Sequence, residues 1–338
     1  MTDTATNRRV AAMLDGGPPL WLADGPAPRL PEHVGAVVQT SGTTGAARRV
    51  ALSRRALTAA AKAARAVADV TWHLALPTQY VAGLMVLVRS IHGGRPVPVA
   101  GTDLAQLRPT GQGDAVSLVP TQLHRALADP GVVDRLRAFD LVLLGGAPLA
   151  PELRDRAVER GIVVKESYGM SETCGGVMWD GHPLPDVGVR LEGERVTISG
   201  PTLFDGYLGQ PEATAEVLQR GVFRTSDRGA WEGGRLRILG RFDDVAISGG
   251  VNIDVAVVRA AAAQLQPETE VLAVPDEEWG QRVVLVAPGG DLGHWRAALA
   301  PALPRAWLPR QLIVAAIPRT DRGKTDWIAL ESLVARCT

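Results

Sequence analysis

Between residues 73 and 164 the chain repeats one pattern, a short apolar run followed by a turn and a helical segment. The runs are His73 to Leu76, Val97 to Ala100, Ala115 to Val119, Leu141 to Leu144 and Val163-Val164. Apolar runs that alternate with helical segments argue for a mostly parallel sheet covered by helices. This α/β reading directs attention to particular loops, because ligands of such sheets sit beyond the carboxyl ends of the strands. Pro77-Thr78-Gln79-Tyr80-Val81-Ala82-Gly83 follows the first run, and Pro120-Thr121-Gln122 the third. Gly145-Gly146-Ala147-Pro148 follows the fourth, with glycines that let a flat ring lie against backbone, and Ser167-Tyr168-Gly169-Met170-Ser171-Glu172-Thr173 the fifth.

Upstream lies Gln39-Thr40-Ser41-Gly42-Thr43-Thr44-Gly45-Ala46-Ala47-Arg48-Arg49-Val50, between the apolar run Val34 to Val38 and a helical pattern beginning near Arg54. Glycines let backbone N–H groups approach a phosphate closely, and hydroxyl and guanidinium groups can complete its shell. No Gly-Lys-[Ser/Thr] follows Gly45, so this is not a Walker loop. A Ser/Thr/Gly turn without a ligand has the same composition, and the stretch by itself leaves both readings open. Ser53 suits the N-cap of a helix from Arg54 to about Val70, whose N-terminus is expected close to the glycine-rich stretch. Residues 1–33 read as a short helix and a meandering lead-in around Leu20-Trp21-Leu22.

Composition removes several functional classes. Lys+Arg and Asp+Glu number 36 each, so no global field draws in nucleic acid or an anionic membrane. Apolar stretches such as Val81 to Val88 end far short of a bilayer span, and the N-terminus has no basic-then-apolar signal pattern. Cys174 and Cys337 are the only cysteines, too few for a disulfide framework or a Cys-rich metal site. A cytoplasmic protein is expected.

From Pro185 the pattern changes to alternating strands. Val189-Arg190-Leu191 and Arg195-Val196-Thr197-Ile198 flank Glu192-Gly193-Glu194, and Gly229-Ala230-Trp231 pairs through Glu232-Gly233-Gly234 with Arg235 to Leu239. These hairpins predict a small antiparallel subdomain over about 185–242. Beyond Gly240-Arg241-Phe242-Asp243-Asp244 an α+β segment follows: a helix from about Asp254 to Leu265, strands at Val271 to Val274 and Arg282 to Ala287, a helix near His294 to Leu303, a strand at Gln311 to Ala315 and a last helix. The expected division is an N-terminal domain over 1–242 and a C-terminal lobe over 243–338.

Six motifs stand in order along the chain: Thr40-Ser41-Gly42-Thr43-Thr44-Gly45, Tyr168-Gly169-Met170-Ser171-Glu172-Thr173, Arg224-Thr225-Ser226-Asp227, Gly240-Arg241-Phe242-Asp243-Asp244, Ser248-Gly249-Gly250-Val251-Asn252 and Pro318-Arg319-Thr320-Asp321-Arg322-Gly323-Lys324. In identity and order they resemble the acyl-adenylate-forming superfamily of acyl-CoA synthetases, carrier-loading adenylation domains and luciferases. The matches run from residue 39 to 326. Leu76 to Gly83 with Val86-Leu87-Val88-Arg89-Ser90, and the shortness of the segment before the glycine-rich stretch, are most similar to the branch that activates o-succinylbenzoate for menaquinone synthesis, in its short actinobacterial form.

The resemblance implies ATP, Mg²⁺ and the co-substrate CoA, a small aryl acid as substrate, a C-terminal lobe that moves, and a homodimer as a family expectation. It assigns ATP phosphates to Ser41, Gly42, Thr43, Thr44 and Gly45, with Arg48 where most relatives carry lysine. Gly145, Gly146, Ala147 and Pro148 would line the adenine, with Tyr168 and Gly169 beside it, and Ser171 or Thr173 would touch the α-phosphate. Glu172 would hold Mg²⁺. Asp227 would accept the ribose hydroxyls, a carboxylate offering acceptors and no donor, with Arg241 nearby. Asp243 would be the hinge, and Gly249, Gly250 and Asn252 would border the channel for CoA. Lys324 would be the principal catalytic residue, its ammonium meeting charge that develops on the α-phosphate.

For the acyl group the resemblance points to Gln79, Tyr80, Val81, Ala82, Gly83 and Met170, with Arg89 or Gln79 as donor to a second carboxylate. Cys174 reads as packing. A stand-alone adenylation enzyme that loads another aryl acid onto CoA or a carrier protein shares every ATP residue. A nucleotide-binding protein without catalysis would have lost Lys324, Glu172 or Asp227, and the sequence keeps all three.

Overall fold

The computed structural model describes residues 4–40, 48–319 and 325–337, the Thr4 and Asp243 side chains excepted. Ser41, Gly42, Thr43, Thr44, Gly45 and Lys324 therefore lie outside the described residues.

Strands Thr71–His73, Asp114–Leu118, Leu141–Leu144 and Val164–Met170 lie side by side and parallel, as the alternating pattern predicts. Gly175–Trp179 and His182–Pro183 extend the sheet antiparallel. Helices Val81–His92, Pro120–Ala126, Pro130–Arg137 and Pro151–Glu159 occupy the crossovers. The run Val97 to Ala100 makes only an isolated bridge, Leu74 to Val99. Pro96 and Pro98 lack the N–H that a ladder needs. Pro120-Thr121-Gln122 begins a helix instead of a loop, and Gln122 is occupied by structure: its amide donates to Ala75 O and Thr102 O at 2.9 Å each.

The glycine-rich stretch differs from expectation in its surroundings. It connects two antiparallel strands, Val34–Gln39 and Arg49–Ser53, with Gln39 opposite Arg49 and Val34 opposite Ser53. Val50 and Leu52 are fully buried, and their core contact draws the chain into a return strand before any helix forms. The helix Arg54–Val67 follows, with Ser53 Oγ accepting from Ala56 N at 3.2 Å as its cap. It ends before Val70, because the chain turns there into strand Thr71–His73. Four residue steps along the strand separate Arg49 from Ser53, about 14 Å, so the helix starts at the other end of this strand from Arg49.

The antiparallel subdomain has the order Gly188–Glu192, Arg195–Ser199, Val222–Glu232, Leu218–Gln219, with Arg235–Arg241 also paired to Val222–Glu232. Both predicted hairpins are present. The Arg224 to Asp227 motif lies within the long strand, so its alternate side chains face opposite sides. In the C-terminal part, Val251–Asp254, Val245–Ser248, Gly280–Ala287 and Glu270–Asp276 form an antiparallel sheet, and Gln311–Val314 joins Gly280–Ala287 in parallel. Helices Val255–Leu265, Leu292–Leu299 and Trp327–Ala335 accompany it. Buried apolar clusters of the first part include Leu57, Leu87 and Leu143, or Leu118 and Leu136. Those of the second include Val258 and Leu285, or Val284 and Leu330. No helix among the described residues is long and apolar enough to cross a membrane.

Candidate active site

Strand register builds the first half of the site. Asp227, on Val222–Glu232, stands directly opposite Arg241 on Arg235–Arg241. Their side chains form an ion pair, Arg241 Nη1 to Asp227 Oδ1, at 3.5 Å. Tyr168 arrives from the parallel sheet and donates its hydroxyl to Asp227 Oδ2 at 2.6 Å. Both carboxylate oxygens of Asp227 thus have a protein donor, and a sugar hydroxyl would use the remaining lone pairs. Burial, with the charge and hydrogen bond of Asp227, pushes the Tyr168 phenol far above its ordinary value, so it stays a donor.

Glu172 forms the second half. It follows strand Val164–Met170 in a single 3-10 turn, Ser171–Thr173. Thr173 fixes that turn by accepting from Met170 N at 3.0 Å and donating to Gly175 O at 2.7 Å. Tyr207 donates to Glu172 Oε1 at 2.9 Å. Arg48 covers the Tyr207 ring at 4.8 Å and reaches its hydroxyl at 3.4 Å. Burial raises the Glu172 carboxyl, while its own backbone N–H, the Tyr207 hydroxyl and the charges of Arg48 and Arg241 pull it back. Tyr168, on the strand that leads into the Glu172 turn, joins the two halves through its bond to Asp227. Among the described residues no three His, Cys, Asp or Glu side chains could together hold a metal. A single half-buried carboxylate, oriented by a phenol, suits Mg²⁺ brought in with phosphate oxygens.

Glycines set the backbone here. A Cβ on Gly169 would lie 2.0 Å from Gly175 O and 2.7 Å from Gly176 Cα, where the register shifts between Tyr168 and Gly169. Gly145 ends strand Leu141–Leu144 beside Ser167, and Gly146 takes a φ of +81°. Gly146, Ala147 and Pro148 are exposed at this sheet end, one strand from Tyr168. Cys174 is fully buried and burial pushes its thiol up, in keeping with packing.

The segment expected to face the acyl group opens helix Val81–His92, with Gln79 and Ala82 exposed. Gly83 is buried, and a Cβ there would meet Pro77 O at 2.2 Å, so its glycine lets the helix lie close on the backbone of the turn before it. Further along, Met85 approaches Gly175 and Arg89 lies one turn on, on the same face. Arg89 is only 8% exposed, sits over the Trp72 ring at 4.7 Å, and its Nε has no hydrogen-bond partner among the described residues. Burial lowers its guanidinium to about 10, still charged at neutral pH. Trp179, whose ring meets Trp72 edge-on at 6.2 Å, also has a buried Nε1 without a partner.

Gly249, Gly250 and Asn252 belong to the hairpin of Val245–Ser248 and Val251–Asp254, where Gly249 packs on Trp279. Phe242–Asp244 form the 3-10 turn that joins this hairpin to strand Arg235–Arg241. Tyr207 is the functional candidate that motif reading missed. Its signal was scarcity: the chain has three tyrosines, and two of them hold the two site carboxylates.

Comparison with known proteins supplies an independent view. The family described as AMP-binding enzyme matches residues 4–210. A probable 2-succinylbenzoate–CoA ligase of Mycobacterium tuberculosis is 39% identical over 327 residues, spanning 89% of this chain and 85% of the relative. The 2-succinylbenzoate–CoA ligase of Escherichia coli is 30% identical over 320 residues, spanning 88% and 70%. The solved o-succinylbenzoate CoA synthetase of Bacillus subtilis, in complex with an acyl-adenylate intermediate, superimposes with a TM-score of 0.77 at 23% identity, over 88% of this chain and 69% of that one. At that identity the last match speaks for fold.

Proposed function

This chain belongs to the AMP-binding enzyme family, and on that premise we propose that it is a 2-succinylbenzoate–CoA ligase working in two steps. In the first, an oxygen of the aliphatic carboxylate attacks the α-phosphorus of ATP, the bond to the β-phosphate oxygen breaks, and pyrophosphate leaves. In the second, the CoA sulfur gives up its proton and attacks the acyl carbon. The carbon–oxygen bond of the mixed anhydride breaks and AMP departs. The observation that carries the reading is the 2.6 Å bond from Tyr168 to Asp227, which ties the strand leading into the Glu172 turn to the Asp227–Arg241 pair of another sheet.

In this reading Asp227 holds the ribose, Tyr168 and the Gly145–Pro148 turn border the base, and Ser41, Thr43 and Thr44 receive the outer phosphates. Glu172 is the protein's ligand to Mg²⁺, which when bound draws charge off the phosphate oxygens. Lys324 meets the negative charge that grows on the α-phosphate in the first step. Residues 243–338 form the lobe that turns about Asp243 between steps; the separate apolar clusters on either side support that division. ATP and CoA imply a cytoplasmic setting.

The substrate carries a second carboxylate on its ring that must be bound and not activated. Arg89 supports this choice, since a buried guanidinium without a carboxylate partner among the described residues gains most from an anion delivered by a ligand. Pyrophosphate exchange should run with 2-succinylbenzoate at a kcat/KM roughly 10²-fold or more above that with 4-oxo-4-phenylbutanoate, which lacks the ring carboxylate. Arg89→Met should erase the preference. Added CoA should then yield the thioester; release of acyl-AMP only to a carrier protein would sink the CoA assignment.

A further inference from the structure

Glu270 is a buried carboxylate, 9% exposed, at the start of strand Glu270–Asp276, and the proposed chemistry does not use it. It receives the hydroxyl of Thr325, Oγ1 to Oε1, at 2.5 Å. Its other oxygen lies 3.2 Å from Arg259 Nε, on helix Val255–Leu265. Arg259 is held from three further sides. It pairs with Asp244 Oδ1 at 3.3 Å, donates to Val271 O at 3.1 Å, and covers the Trp327 ring at 4.9 Å. Thr325 is itself pinned: it bridges to Arg319, whose Nη1 reaches Thr325 Oγ1 at 3.3 Å. The next residue, Asp326, donates its N–H to Pro318 O at 2.9 Å and caps the last helix through Ala329 N at 3.0 Å.

The two ends of this chain of contacts matter. Asp244 is the first residue after the hinge position, and Thr325 is the first residue after Lys324. We propose that Asp244, Arg259, Glu270 and Thr325 form a clamp that makes the C-terminal lobe a rigid lever, so that rotation at residue 243 delivers Lys324 to the α-phosphate. Glu270 and Thr325 are positioning residues in this scheme; neither touches substrate. An unanchored backbone beside Lys324 would otherwise spend its conformational freedom at the moment of reaction. Anchoring the adjoining backbone to a buried carboxylate settles that cost before ATP binds, as preorganisation requires.

The inference rests on the assignment of Lys324 to adenylation, and its test separates the two. Four variants of the full chain, K324A, T325V, T325S and E270A, are assayed for pyrophosphate exchange and for thioester formation from supplied acyl-AMP. T325V, which keeps shape and loses the hydroxyl, should slow exchange about 10- to 100-fold, the usual consequence of an ångström-scale misplacement. Thioester formation and the KM for ATP should stay near the parent values, and T325S should restore exchange. E270A should follow T325V; if it fails to fold, T325V and T325S alone decide. Exchange lost in K324A but retained in T325V overturns the clamp, as does an equal loss of both half-reactions in T325V. Exchange retained in K324A removes the role of Lys324, and the clamp with it.

Discussion

Tyr207→Phe isolates one hydroxyl at the proposed metal carboxylate. The ring keeps its packing on Phe204 at 5.0 Å and its place under the Arg48 guanidinium at 4.8 Å. What disappears is the donor 2.9 Å from Glu172 Oε1. A hydrogen bond to a charged acceptor contributes about 1.5–3 kcal/mol, which corresponds to roughly 10- to 150-fold in kcat/KM for Mg·ATP. The sign of the pH effect also follows. Burial already raises the Glu172 carboxyl, and the Tyr207 hydroxyl opposes that rise. Without it the carboxyl is protonated at higher pH, and a protonated carboxyl cannot ligate Mg²⁺. The deficit should therefore grow as pH falls from about 9 to about 5 in a pyrophosphate-exchange assay. A variant that matches the parent across that range, or whose deficit shrinks toward acid, would refute the role given to Tyr207.

Gly169→Ala should be costly, because the new Cβ meets backbone at 2.0 Å that no side-chain rotation can relieve. Overpacking of this kind costs about 1–3 kcal/mol, read as a lower urea midpoint, together with a higher KM for ATP as Tyr168 shifts; a variant equal to its parent in both would contradict the geometry. Asp114 accepts from Thr110 N at 2.7 Å, Thr110 Oγ1 at 2.8 Å, Gly111 N at 2.8 Å and His73 Nε2 at 2.7 Å. Burial alone would raise its carboxyl, but these bonds outweigh it and hold the group below the ordinary carboxylate value. Stability from Asp114 is thus present above the unfolded value of about 4 and lost as pH falls through the folded one. Asp114→Asn should cost about 1.5–3 kcal/mol near neutral pH, the gap in urea midpoint narrowing below about pH 4; a gap independent of pH would rule this out.

Much of the fold was legible because its signals are local. The apolar runs that became Asp114–Leu118 and Leu141–Leu144, the Glu192-Gly193-Glu194 turn and the Ser53 cap each report backbone preferences of a few neighbouring residues. The return strand Arg49–Ser53 was not legible, since five residues carry too little periodicity to separate a strand from a helix start. Nor was the weak pairing of Val97 to Ala100, an apolar run whose prolines leave it a single bridge. Motif order along the chain pointed to Tyr168, Glu172, Asp227 and Arg241 as members of one site, without saying how they meet.

What the amino-acid sequence determined by itself is the supply of chemistry: two carboxylates, an arginine between the hairpin and the C-terminal lobe, and glycines where backbones must approach. Tertiary structure alone decided the partners. Tyr207 reaches Glu172 from 35 residues away, Tyr168 reaches Asp227 from 59, and Thr325 reaches Glu270 from 55. Hydrogen bonds form or fail within a few tenths of an ångström. Sequence periodicity fixes which face of an element is buried, but only the packing of whole sheets and helices sets distances to that precision.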